Sequence, residues 1–114
     1  MVSSQTSDLS VRQLLARRRR LAAGVSEPER TLRGVVLSEG RRCSSEGCRC
    51  RRGELHGPYS YLAVYADGRS RTVYVPAAMK LACEASVDVT QRNEVLLVEI
   101  SQINLELLRR RALE

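Results

Sequence analysis

Three cysteines and the only histidine of the chain fall within one short stretch, as Cys43, Cys48, Cys50 and His56. The spacing is C-x4-C-x-C-x5-H. Zinc takes four soft or borderline donors in a tetrahedron, and three thiolates with one imidazole form an ordinary structural set. Cys48 and Cys50, two apart, point the same way on an extended backbone. The turn-prone Ser44-Ser45-Glu46-Gly47 can bring Cys43 back beside them, and Gly53 and Gly57 give the chain room to return His56. Four protein donors leave no open position, so the expected ion is structural zinc with no catalytic role. Three other readings stand beside it: reduced thiols next to a histidine, a set in which Cys83 replaces His56, and an iron–sulfur cluster. A single histidine excludes any two-histidine metal or acid–base centre. A single lysine, in Ala-Ala-Met-Lys80, excludes a Walker A phosphate loop.

Arginine crowds the same stretch. Arg41, Arg42, Arg49, Arg51 and Arg52 face one acid, Glu46. Zinc with three thiolates and a neutral imidazole carries one negative charge, so the metallated loop would keep a charge of about +3. Those cations would also ease thiol deprotonation. A second run, Arg17, Arg18, Arg19 and Arg20, lies upstream. The net charge of +6 belongs wholly to residues 1–57, with residues 58–114 neutral. Guanidinium groups bind phosphate and guanine bidentately, so the two clusters are a candidate nucleic-acid footprint, with DNA ahead of RNA. The plainer reading is a solvated basic face.

Several elements must position these groups. Residues 1–9 read as a flexible polar tail. Ser10-x-x-Gln13 can form a capping box for a helix that Gly24 ends, within a basic helical region over 10–33. Ser26-Glu27-Pro28-Glu29 offers a second helix start, closed by Gly34. Val35-Val36-Leu37 reads as a strand, opening a segment over 34–76. Tyr59–Ala66 and Arg69–Val75 alternate about Asp67-Gly68, a type I′ hairpin signal. That register opposes Tyr61 to Tyr74 and Leu62 to Val73, with Leu62, Val64, Val73 and Val75 on one face. All four tyrosines, at 59, 61, 65 and 74, then share the other. An open aromatic face can stack unpaired bases, but a chain without Phe or Trp is expected to keep its aromatics packed. Residues 77–114 form an amphipathic helix, with a bend possible at Val87-Asp88-Val89-Thr90. Its heptad-like Leu96, Ile100, Ile103 and Leu107 are a candidate coiled-coil interface to a second copy or to another protein. The fold class expected is α+β: an N-terminal helix, a small antiparallel sheet with a knuckle-like loop, and a long C-terminal helix.

The start, Met1 to Ser10, has no apolar core and carries Asp8, so no signal peptide is expected. Aliphatic runs reach about four residues, far below a membrane span of about twenty. Cytoplasmic location and no membrane partner are the expectation, with the cysteines as thiols or metal ligands. A metal-dependent nuclease would need clustered carboxylates, and the acids are dispersed; a thiol enzyme would need Cys43, Cys48 or Cys50 activated by His56, and no complete constellation can be placed, so an enzyme is not expected. The competing non-enzymatic function is a protein-interaction adaptor acting through the C-terminal helix.

The stretch Gly34 to Pro76 resembles a family of small prokaryotic domains of unknown function. The resemblance is carried by Arg42-Cys43, Cys48-Arg49-Cys50, His56-Gly57-Pro58-Tyr59, Tyr61-Leu62, Asp67-Gly68 and Tyr74-Val75-Pro76. Where that family often has Gly-Lys-Pro, this chain has Ser44-Ser45-Glu46. The resemblance implies an accessory protein linked to a transposon, plasmid or phage, with a transposase or recombinase as the partner of the C-terminal helix, and no established activity.

Overall fold

The computed structural model describes residues 6–114. Helix α1 (Val11–Gly24) is followed by strands β1 (Val35–Arg41), β2 (His56–Ala66) and β3 (Arg69–Val75), then helix α2 (Lys80–Arg109). Single 3-10 turns stand at Pro28–Arg30, Arg49–Arg52 and Ala77–Met79. The architecture is α+β, as expected. Two compact units divide the chain: the described residues up to Arg30 with Val89–Glu114, and Thr31–Asp88.

In the first unit, α1 begins with the expected capping box. The Ser10 side chain accepts from the Gln13 backbone N–H, while the Ser10 N–H donates to the Gln13 side chain. Its apolar face buries Leu14 completely against Ile103 and Leu107, with Leu9, Val11, Leu15, Leu21 and Ala112 packed around them. This takes two of the four residues expected at an interface on α2. Ile103 and Leu107 have no surface left for a partner, and Leu96 lies beside Gly24, where an added Cβ would stand 3.2 Å from its Cδ1. An amphipathic helix buries its stripe on the nearest complementary stripe, and α1 supplies one within the chain. Gly24 is therefore small for close approach; the helix closes through the Val25 N–H bonded to the Ala22 carbonyl.

The helix expected after Ser26 is only the 3-10 turn at Pro28–Arg30. Buried Asn93 takes both backbone groups of Ser26, accepting from its N–H at 3.1 Å and donating to its carbonyl at 2.7 Å. Glu27 adopts a positive φ of 48°, which ends helical continuity at the intended start. Residues 1–5 of the expected tail lie outside the described residues. Within them, the carbonyls of Thr6, Ser7 and Leu9 all accept from Arg110, whose Nε also pairs with Glu106 at 2.8 Å.

In the second unit the strands form an antiparallel sheet of order β1-β2-β3. Asp67 and Gly68 both have positive φ, as a type I′ turn requires. The register is the one the turn dictates, with Ala66 opposite Arg69, Leu62 opposite Val73 and Tyr61 opposite Tyr74. One face buries Leu62 and Val75 with Val87 of α2, joined by Leu32, Val36, Val64 and Cys83. The other face carries the tyrosines, and here the packing expectation fails: Tyr59, Tyr74 and Tyr65 are 37%, 53% and 75% exposed. A small domain covers one face of a three-stranded sheet, and the aliphatic face has taken that cover. α2 runs unbroken through Val87–Thr90, because Val87, Val89 and Thr90 are buried there and packing outweighs weak helix propensity.

Candidate metal centre

The Cys/His loop joins β1 to β2. A bulge between Glu39 and Arg41 shifts the register so that Arg41 stands opposite His56, and the loop leaves from that pair. Cys43 follows β1, and the Cys48 N–H bonds back to the Ser45 carbonyl. Cys48, in extended conformation, caps the 3-10 turn Arg49–Arg52 that contains buried Cys50. The convergence of Cys48 and Cys50 thus comes from an extended cap leading into a turn, and not from one extended segment. Gly53 leaves the turn with φ of 105°, and Gly57, with φ of 103°, returns the chain to β2. A Cβ at Gly57 would meet the Tyr59 nitrogen at 2.7 Å, so only glycine fits.

The result brings all four expected donors together. The thiols of Cys43, Cys48 and Cys50 and a His56 ring nitrogen lie within 4.8 Å of one another. Cys43 Sγ and Cys50 Sγ are 3.6 Å apart, and Cys48 Sγ is 3.1 Å from His56 Nε2. Donors on one tetrahedral zinc stand about 3.5–3.8 Å apart, given bond lengths of about 2.0–2.3 Å. The cluster is compatible with a metal ion after a closure of about an ångström at its widest pair. Cys83 lies elsewhere, packed with Leu62, Val75 and Val87, so the set in which it replaces His56 is not the one the fold assembles. The backbone N–H of Cys43, 3.3 Å from Cys50 Sγ, pushes the Cys50 thiol down, helped by the Cys43 and Cys48 side chains and the Arg51 charge and opposed by burial. The Cys43 thiol is pushed up: its backbone contact with Ser45 acts downward, and the Cys48 and Cys50 side chains, burial and the Cys48 charge outweigh it.

The arginines separate into different jobs. Arg51 donates to the Cys43 carbonyl at 2.8 Å, tying the loop together. Arg41 lies 3.3 Å from Glu39 and donates to the Tyr61 hydroxyl at 3.0 Å. Arg42, Arg49 and Arg52 are exposed and form no ion pair among the described residues. Of the upstream run, Arg18 is held by Asn104 and Glu114, Arg17 is half-buried, and only Arg19 and Arg20 project freely. Successive residues on α1 turn by about 100°, so four adjacent arginines cannot share one surface. The Arg51 and Arg110 ties escaped sequence reasoning, since both bond to backbone carbonyls that no motif marks. Among the described residues no helix is long and apolar enough to cross a membrane.

Fold and cluster together define a small α+β protein in which the connection from β1 to β2 carries a Cys3His cluster compatible with a metal site. Residues 11–80 match the domain of unknown function DUF6788, and the chain belongs to that family. The match begins at α1, well before the Gly34 start of the resemblance described above. No curated protein and no solved structure gives a significant match.

Proposed function

We propose that this protein is a zinc-stabilised nucleic-acid-binding module, serving as an accessory protein of a mobile element. One observation carries the reading: a four-donor Cys3His cluster whose own loop presents Arg42, Arg49 and Arg52 exposed and without an ion pair among the described residues. Zinc would take the place of a larger core, in a chain whose aromatics lie outside the buried clusters. Its role is structural, since the four donors fill the tetrahedron. The ion would fix the loop, and the loop would fix the spacing of guanidinium groups that meet phosphate. DNA is the preferred ligand.

The test is anisotropy of labelled duplex and single-stranded DNA and RNA across salt, with and without a zinc chelator, beside metal analysis of the purified chain. The expected result is one zinc per chain and affinity falling steeply with salt, by about 0.9 log units per log unit of salt for each duplex phosphate neutralised. Chelation should abolish binding. A metal-free chain that is fully folded would overturn the zinc assignment, and absence of binding at low salt would overturn the nucleic-acid assignment.

A further inference from the structure

We propose that the uncovered face of the sheet is a stacking platform for single-stranded DNA, with bases on Tyr59, Tyr74 and Tyr65 and phosphates on Arg42. The proposal rests on the nucleic-acid reading above and names the substrate class of that surface.

All the aromatic rings of the chain are tyrosines, and the register places every one on this face. A chain short of apolar mass gains most by burying such rings. Here the aliphatic face is covered instead; Tyr59, Tyr61 and Tyr74 form a connected group, with Tyr65 farther along the same face toward the turn. Tyr74 is the centre. Tyr59 and Tyr61 meet it edge-on, with ring centroids 6.4 and 5.8 Å away and interplanar angles of 69° and 66°. Two neighbours at such angles hold the Tyr74 ring in place while more than half of that residue remains open to solvent. An ordered, exposed ring is what an unpaired base needs, since every base has a π-face and stacking demands no sequence.

Charge supplies the second half. The Arg41 guanidinium lies 4.5 Å from the Tyr61 ring centroid, so one end of the aromatic group is already capped by a planar cation. Beside it is a shallow recess of about 300 Å³, lined by Arg41, Arg42, Cys43, His56 and Tyr59. A strand whose bases cross the rings can lay its phosphates over this recess, where Arg42 has no acidic partner among the described residues. Duplex DNA offers no free base faces to a flat sheet, so the rings discriminate in favour of single strands. The joint presence of π-faces and cations at one end of the sheet matches a stacked polyanion.

The experiment uses the full-length, metal-loaded chain and labelled oligodeoxythymidylate, with duplex DNA and oligouridylate in parallel. The chain has four tyrosines and no tryptophan, so its ultraviolet emission arises from this face alone and should be quenched on binding. Tyr74→Ala and Tyr59→Ala should each weaken single-strand binding about five- to a hundred-fold and leave duplex binding within about twofold. Tyr74→Phe, which keeps the ring, should retain binding. Tyr65→Ala, at the most exposed ring, is a further variant should the central ones fail to load metal. Wild-type single-strand affinity in all the alanine variants, with salt-steep binding intact, would overturn the stacking platform and leave the basic-rim reading standing. Tighter binding of oligouridylate would overturn the assignment to DNA. Absence of binding to any nucleic acid would overturn both readings together.

Discussion

At the scale of single residues, the four donors are unequal in setting. Cys50 is fully buried, receives the Cys43 N–H and sits inside the 3-10 turn, so its loss removes a ligand and a hydrogen-bond acceptor together. Cys50→Ser and Cys48→Ser should each purify without zinc, whereas Cys83→Ser should keep the wild-type zinc content; atomic absorption decides both. This set was legible in the sequence because its members are neighbours in the chain and their types are diagnostic. Asn93 was not, since an asparagine inside a helical stripe announces nothing until its partner, the Ser26 backbone, is seen. Asn93→Ala leaves both Ser26 groups unmet, and urea titration should show a loss of about 1–3 kcal/mol. Glu114 is readable only in space as well. The Arg18 guanidinium holds its carboxyl below the usual carboxylate range, the side-chain hydrogen bond being the first cause. A depressed folded value means the pair stabilises above the unfolded pKa of about 4.3 and is lost as pH falls through the lower folded value. Glu114→Gln should therefore flatten the acid limb of the stability profile, an effect kept small by exposure.

At the scale of elements, the sequence was clearest where local chemistry alone decides. The Asp67-Gly68 turn dictates the hairpin register, and the Ser10–Gln13 box dictates where α1 begins. It was misleading where an apolar stripe had to choose a partner. The 4-3-4 spacing of Leu96, Ile100, Ile103 and Leu107 suits another helix of any origin, and periodicity does not say that α1 is that helix. Leu14→Ala, which opens a cavity between Ile103 and Leu107, should cost about 2–5 kcal/mol in denaturant unfolding. Leu105→Ala, at a side chain that is largely exposed, should change stability by no more than about 0.5 kcal/mol. The contrast tests whether the stripe is consumed inside the chain. The tyrosine face failed for a related reason: alternation shows that two faces exist, and only the number of covering elements shows which one stays wet.

At the scale of the whole molecule, the charge of +6 resolves into residues held by the fold and residues left free. Arg18, Arg51 and Arg110 are tied to carbonyls, amides or carboxylates, while Arg19, Arg20, Arg42, Arg49 and Arg52 remain exposed. The two compact units should respond differently to metal removal. Hydrogen exchange after chelation should lose protection across residues 41–57 while amides near Leu14, Ile103 and Leu107 keep theirs. Equal loss in both sets would show that the metal stabilises the chain as one cooperative block. The location of the loop also bears on the order in which the sheet assembles. β1 and β2 are not joined by a tight turn; their last paired residues, Arg41 and His56, are fifteen positions apart. Closing such a loop has an entropic cost that must be met before pairing begins. A metal ion gathering donors from 43 to 56 would close it locally and fast, acting as the turn this hairpin lacks. Ligand order would then set strand register, and the ion would act as a folding nucleus before it acted as a staple.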